Sequence, residues 1–197
     1  IVEYTIKDPA MNIVSDLYQR RPDVIGISCY IWNIEETIVV IRMLRKIMPE
    51  VRIVLGGPEV SYDTDYWMNR LPEVDFIVMG EGEETFHHLL TELAGDGKFH
   101  FVFGLAYRRD GEVIINPGRP KLDLNTIPTP HRFAEDLPHL ANRIVYFETS
   151  RGCPFSCQFC LSSIEVGVRY FDIERTKADL LYLIQSGAKL IKFVDRT

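Results

Sequence analysis

Arg52-Ile53-Val54-Leu55-Gly56-Gly57-Pro58 is the stretch that decides the fold. A short apolar run with no alternating polar face, closed by two glycines and a proline, reads as a strand covered on both sides and ended by a tight loop. Two further runs have the same character. Asp23-Val24-Ile25-Gly26-Ile27-Ser28 precedes it, and Asp75-Phe76-Ile77-Val78-Met79 follows it and ends in Gly80-Glu81-Gly82-Glu83. Between them lie segments of helical period. Ala10, Ile13, Val14 and Leu17 mark one helix face after Asp8-Pro9, an N-cap with proline in the first turn. Ile34, Ile38, Ile41 and Leu44 mark another, opened by a capping-box pair at Asn33 and Glu36 and stopped by Pro49. A short helix is expected over Asp65–Arg70, and Phe86, Leu89, Leu90 and Leu93 define the next.

Apolar strands alternating with amphipathic helices predict a parallel sheet covered on both faces, an α/β doubly wound arrangement. In such sheets ligands bind at the carboxyl ends of the strands. Three such ends are visible: Ser28-Cys29-Tyr30, Gly56-Gly57-Pro58 and Gly80-Glu81-Gly82. Trp32 and Tyr30 stand beside the first of them, where packing at the rim is the simpler role. Gly104 to Asn116 reads as a hairpin turning at Asp110-Gly111. We therefore divide the chain into an α/β domain with a C-terminal hairpin over 1–116, a Pro-rich linker over 117–142 and the start of a second domain over 143–197. The second domain has a strand at Arg143–Thr149, a helix over 173–186 with Leu180, Leu181 and Ile184, and a strand at Leu190–Val194. One strand–helix–strand unit is too short to complete a domain, so the chain reads as a piece of a longer protein.

The 197 residues are 46% apolar and 25% charged, with a net charge of −6. No apolar run has the length of a membrane span. The negative balance argues against non-specific nucleic-acid binding, which needs a basic surface. Three of the four cysteines fall together in Thr149-Ser150-Arg151-Gly152-Cys153-Pro154-Phe155-Ser156-Cys157-Gln158-Phe159-Cys160. Disulfide frameworks spread their cysteines along the chain, whereas this cluster fits metal or iron–sulfur ligation in a reducing cytoplasm. Cys29 lies far upstream and reads as a small buried residue. Zinc is the competing metal, but no second C-x2-C pair exists. His131 and His139 lack knuckle spacing, and His87 and His88 read as helix-face residues.

The C-x3-C-x2-C spacing of Cys153, Cys157 and Cys160, with aromatic Phe159 before the last cysteine and a strand in front, resembles the radical SAM superfamily. The resemblance implies that the three cysteines hold a [4Fe-4S] cluster and that S-adenosylmethionine occupies the fourth iron. An external donor would supply the electron that cleaves a carbon–sulfur bond and yields a 5′-deoxyadenosyl radical. It also implies that Phe159 packs beside the cluster and S-adenosylmethionine. A Gly-Gly-Glu-like motif is common after the second barrel strand; here Phe193-Val194-Asp195-Arg196 stands there, with Asp195 as the candidate carboxylate for the S-adenosylmethionine amino group. An ordinary strand-end acid is the alternative.

The domain in front resembles that of the cobalamin-binding radical SAM subfamily. Ser28-Cys29-Tyr30 stands at the S-x-L place, and Gly56-Gly57 follows at a similar spacing. This implies a Rossmann- or flavodoxin-like cobalamin-binding domain before a partial (β/α) barrel, with Ser28, Tyr30, Gly56, Gly57 and Gly80 around the cobalamin tail. It implies methyl transfer to an unreactive carbon of a small molecule, or a ring-forming oxidation of the anaerobic magnesium-protoporphyrin ester cyclase type. A radical SAM methylthiotransferase is a second reading, weakened because that family's first domain carries its own cysteine trio. A zinc- or cluster-stabilised module without catalysis is a third. A truncated barrel is further expected to leave the chain by itself inactive and prone to self-association through exposed strands.

Overall fold

The computed structural model describes residues 1–160 and 167–196. It forms two compact units, Ile1–Lys121 and Leu122–Thr197. The first is built in the order α1 (Ala10–Arg20), β1 (Val24–Ser28), α2 (Ile34–Ile47), β2 (Arg52–Gly56), α3 (Pro58–Tyr62), α4 (Thr64–Arg70), β3 (Phe76–Val78), α5 (Gly82–Ala94), β4 (Leu105–Arg109) and β5 (Glu112–Ile115). Its five strands lie in sequence order, β1-β2-β3-β4-β5. The first three are parallel, with Val24 opposite Arg52 and Val54 opposite Phe76.

Successive strand residues point to opposite faces, and both faces are filled. Ile53, Leu55 and Ile77 pack with α1, α2, α3 and α4 on one side. Val54, Phe76 and Val78 pack with Leu89 of α5, Val102 and Leu105 on the other. Ile53, Leu55 and Ile77 are fully buried, and each such side chain contributes about 1.5–3 kcal/mol. This is the double winding that the unbroken apolar runs predict.

The hairpin turns where expected, with Asp110 at φ 53° and Gly111 at φ 86°, the dihedral signs of a type I′ turn. It does not stand apart from the sheet: β4 pairs antiparallel with β3, Val78 opposite Leu105. The helix expected at 65–70 is α4, and α3 is an additional short helix directly before it.

Two predicted helix caps are used differently. The Asp8 carboxylate accepts from the Thr5 N–H and hydroxyl, and Pro9 takes the N-cap position of α1. Asn33 starts α2 without a side-chain cap bond, because its amide is committed to the preceding loop, as described below.

The second unit is built from β6 (Ile144–Phe147), β7 (Ser150–Cys153), β8 (Gly167–Tyr170), α6 (Ile173–Gln185) and β9 (Leu190–Phe193). β6 and β9 are parallel neighbours, Ile144 opposite Leu190 and Phe147 opposite Phe193. The core holds Leu140, Val145, Phe147 and Leu183. Helix α6 is buried through Leu183, whereas the predicted stripe residues Leu181 and Ile184 are exposed. β7 and β8 form an antiparallel pair that hydrophobic periodicity does not announce.

The stretch read as a Pro-rich linker, 117–142, is largely anchored. Residues from Leu122 onward group with the second unit. The Leu122 carbonyl accepts from Arg169 at 2.7 Å, the Asn125 side chain accepts from the Asp172 N–H at 2.8 Å, and Arg132 reaches Asp179 at 2.8 Å. Scattered buried leucines (Leu122, Leu124 and Leu140) and polar partners hold this segment together, and their irregular spacing carries no helix or strand period.

Candidate functional site

Two places carry chemistry, one in each unit. The first is the crevice at the carboxyl ends of β1, β2 and β3. Ser28 closes β1 and is exposed; Cys29 turns inward and Tyr30 is half-buried. Asn33 holds this loop in shape: its Oδ1 accepts from the Tyr30 N–H at 2.8 Å, and its Nδ2 donates to the Ser28 carbonyl at 2.9 Å. Asparagine side chains often replace backbone partners in such turns. Tyr30 and Trp32 stack with ring centroids 4.6 Å apart. Trp32 is 63% exposed, so it lies on the rim and not in the core.

The two glycines after β2 do different work. Gly57 sits at φ 99°, ψ 170°, a region essentially restricted to glycine. A Cβ there would lie 2.5 Å from the Cys29 carbonyl oxygen. Gly57 therefore lets two neighbouring loops of the protein meet. Gly56 is different: its Cβ would make only an ordinary contact, 3.7 Å from the Val78 carbonyl oxygen. Gly80, at φ 70°, would point a Cβ into open space. Ser61 links these turns, donating from Oγ to the Gly57 carbonyl at 2.8 Å and accepting from the Gly80 N–H at 3.3 Å. Helix α5 then opens with Glu83 and Glu84 in its first turn. These two carboxylates disfavour a free anion at the start of α5.

Cys29 is fully buried. Burial, with Glu59 nearby, pushes its thiol up to about 12, against a lowering hydrogen bond at Gly56. A thiol so raised stays protonated and unreactive at neutral pH. We predict that the native metal-free chain exposes three alkylatable thiols at pH 8, and that the fourth reacts only in denaturant. Rapid labelling of all four, counted by mass spectrometry, would contradict this placement.

The second place is the cysteine loop. Cys153 is the last residue of β7 and pairs with Gly167 of β8. The strand pair thus closes the base of the loop. Cys157 and Cys160 are exposed, and the Cys160 N–H donates to the Cys157 carbonyl at 3.2 Å. None of the four cysteines is in a disulfide. Gly152, at φ 100°, makes the closest backbone approach: a Cβ on it would lie 2.0 Å from the Gly167 carbonyl oxygen. Phe159 is 97% exposed, so the expected packing partner lies against solvent here. Among the described residues no three His, Cys, Asp or Glu side chains lie close enough to hold a metal. The donor set nevertheless fits a three-thiolate ligand by its chemistry: three sulfurs outside any disulfide within eight positions on a closed base, with the final gathering left to binding. His131 is not part of this loop. It stacks on Phe147, ring centroids 5.0 Å apart, and burial holds it below the ordinary histidine range against the opposing pull of Asp179 and Asp136.

Asp195 lies two residues past β9. Its Oδ1 accepts from the Thr149 N–H at 2.8 Å, from the Ser150 hydroxyl at 2.8 Å and from the Ser150 N–H. Burial pushes this carboxyl up, but the hydrogen bonds from Ser150 and Thr149 outweigh it and hold it below the usual carboxylate range. One of the two oxygens of the carboxylate expected for an S-adenosylmethionine amino group is therefore engaged within the protein. Sequence reading missed Asn33, Ser61 and the Thr149–Ser150 amides as site-shaping groups. For Asn33 a signal existed, an asparagine just after a strand-end turn; for the others the partner is remote in sequence.

Residues 1–90 match the B12 binding domain family. The chain is 33% identical over 205 aligned residues to an uncharacterized methyltransferase of Pyrococcus horikoshii, across 100% of this chain and 45% of that protein. It is 32% identical over 171 residues to the cobalamin-dependent radical SAM methyltransferase TokK of Streptomyces tokunonensis, across 81% of this chain and 25% of that protein. The solved structure of the cobalamin-dependent S-adenosylmethionine radical enzyme OxsB, with aqua-cobalamin and S-adenosylmethionine bound, matches with a TM-score of 0.80. That match covers 95% of this chain and 27% of the other at 23% identity, a likeness of fold. The chain spans less than half the length of each of these proteins. Among the described residues no helix is long and apolar enough to cross a membrane.

Proposed function

The chain belongs to the cobalamin-binding branch of the radical SAM proteins, and on that premise we propose that it carries the corrinoid-holding crevice and the cluster-holding loop of an enzyme that alters an unreactive carbon of a small molecule. Methyl transfer is the reading that the named relatives favour; ring-forming oxidation is the other outcome of the same machinery. The observation that carries the proposal is the pairing, in one chain, of a glycine-lined crevice with a loop of three closely spaced cysteines, none in a disulfide, closed at its base.

When bound, the [4Fe-4S] cluster and cobalamin supply one-electron cleavage of S-adenosylmethionine and a carrier for the methyl group, chemistry no side chain of this chain provides. The protein's own residues hold and shape. Cys153, Cys157 and Cys160 are the thiolates for the cluster. Gly56 and Gly80 leave the space, and Ser28 offers a hydroxyl, for the cobalamin tail; Asn33 and Ser61 keep the loops that present them in register. Tyr30 sets the inner wall of this crevice with Trp32 at its rim. Phe159 covers the cysteine loop once it is occupied. Three clustered cysteines outside any disulfide suit a reducing, cytoplasmic setting with an external electron donor. Ile144, Tyr146 and Leu190 are exposed on one face of β6 and β9, an apolar surface through which the chain expressed alone would self-associate.

The test is anaerobic reconstitution of the full-length protein with iron, sulfide and hydroxocobalamin. We expect near-equal iron and sulfide, a cobalamin spectrum and S-adenosylmethionine cleavage. Cys157→Ala is expected to lose the cluster absorption and all cleavage while retaining cobalamin at the wild-type ratio, because the two sites draw on different units. Stoichiometric zinc in place of iron would sink the proposal.

A further inference from the structure

Asp195 is the strongest group outside the roles just assigned. The last bond of the β6–β9 ladder runs from the Val194 N–H to the Phe147 carbonyl at 3.0 Å. Beyond it the chain leaves the parallel pair and, across Glu148 and Thr149, enters antiparallel β7. The Thr149 carbonyl is taken by the Phe171 N–H at 3.0 Å. Ser150 opens β7 opposite Tyr170, and the Thr149 and Ser150 N–H groups at this corner are both given to the Asp195 carboxylate. Ser150 is only 6% exposed, so water cannot readily serve its donors, and a buried N–H needs a partner. Asp195 Oδ1 serves both amides and the Ser150 hydroxyl. With three donors on one oxygen, that oxygen is saturated.

We infer that Asp195 is a positioning residue for the cysteine loop: its carboxylate pins the corner from which β7 runs to Cys153, three residues beyond Ser150. This rests on the cysteine loop being the cluster site. Asp195 acts through the Thr149–Ser150 backbone and not through the reacting atoms. It sets where the first thiolate stands before any ligand arrives, and a ligand amino group could take Oδ1 only by displacing a protein donor.

The experiment uses the full-length protein as wild type, Asp195→Ala, Asp195→Asn and Ser150→Ala. Amide hydrogen exchange at Thr149 and Ser150 is measured without cluster. Iron and sulfide content and the electron paramagnetic resonance line shape of the reduced cluster are measured after reconstitution, before S-adenosylmethionine is added; its affinity is measured separately. In Asp195→Ala we expect exchange at the two amides to rise by about 30-fold, cluster content to fall below half, and the resonance to broaden. Asp195→Asn keeps a carbonyl acceptor and restores most of each signal. Ser150→Ala loses one donor of three and falls between. Wild-type exchange and line shape in Asp195→Ala, with weakened S-adenosylmethionine binding, would overturn the inference and make Asp195 a ligand contact. If even the wild type takes up no iron, the cluster reading fails. The exchange measurement still decides whether Asp195 pins the corner, and unchanged exchange overturns that too. Should Asp195→Ala not fold, Asp195→Asn and Ser150→Ala carry the same comparison.

Discussion

Gly152→Ala is expected to abolish iron–sulfur uptake as completely as removal of a cysteine ligand, although it deletes no donor. The reason is the base of the loop. Gly152 has φ 100°, and a Cβ on it would lie 2.0 Å from the Gly167 carbonyl oxygen and 3.5 Å from the Val168 Cα. The first obstacle is backbone on a paired strand, so no side-chain rotation relieves it. The β7–β8 pair must separate at the step that places Cys153, where Gly152 faces Val168 and Cys153 faces Gly167. The neighbouring Gly167 provides the contrast. It also has positive φ, 88°, yet a Cβ there meets nothing within 4 Å. Gly167→Ala therefore carries only backbone strain, about 1–3 kcal/mol, and is expected to keep a clear fraction of the cluster. Iron, sulfide and absorption after anaerobic reconstitution, measured side by side for the two variants and Cys157→Ala, check the expectation. Full cluster content in Gly152→Ala would mean that the strand pair does not define the loop.

Gly57→Ala is expected to unfold or severely destabilise the first unit, while Gly56→Ala, one residue earlier, leaves it stable. At Gly57 two costs coincide. The φ of 99° with ψ of 170° costs an alanine about 1–3 kcal/mol. The 2.5 Å approach to the Cys29 carbonyl oxygen adds overpacking of about 1–3 kcal/mol. Together these consume much of a typical domain stability of about 5–15 kcal/mol. At Gly56 the nearest atom is 3.7 Å away and φ is ordinary. Its alanine variant should fold with a melting temperature within a few degrees of wild type, and if Gly56 lines the proposed cobalamin crevice, the loss should appear in cobalamin affinity. Thermal denaturation and cobalamin titration of both variants separate the two roles. A stable Gly57→Ala protein would show that the loops after β1 and β2 do not need this approach. Wild-type cobalamin affinity in Gly56→Ala would remove Gly56 from the crevice.

Much of the architecture was legible in single residues and short patterns. The unbroken apolar runs at 24–27, 53–55 and 76–78 announced strands covered on both faces, and burial of Val54 on one side and Ile53 and Leu55 on the other confirms that logic. Asp110-Gly111 announced the hairpin because two successive positive φ values are a local demand. The cysteine spacing put forward three candidate donors before any fold was known. Local rules misled where a side chain had two possible partners. Asn33 looks like a helix cap, yet it bonds the Ser28–Tyr30 loop behind it. Residues 122–142 look like a linker because periodicity registers apolar faces and is silent about the arginines and carbonyls that anchor this segment.

By itself, then, the sequence determined what is local: helix and strand periods, turn dihedrals, the three thiols and the glycines available at strand ends. Tertiary structure alone decided which glycine is sterically required, that β7 and β8 close the cysteine loop, and that Asp195 serves the Thr149–Ser150 corner from 45 positions away. The physical reason is range. Dihedral preference and burial pattern act over a few residues and leave a trace in composition. A hydrogen bond or a backbone contact between distant segments depends on strand register, and register exists only once the sheet has formed.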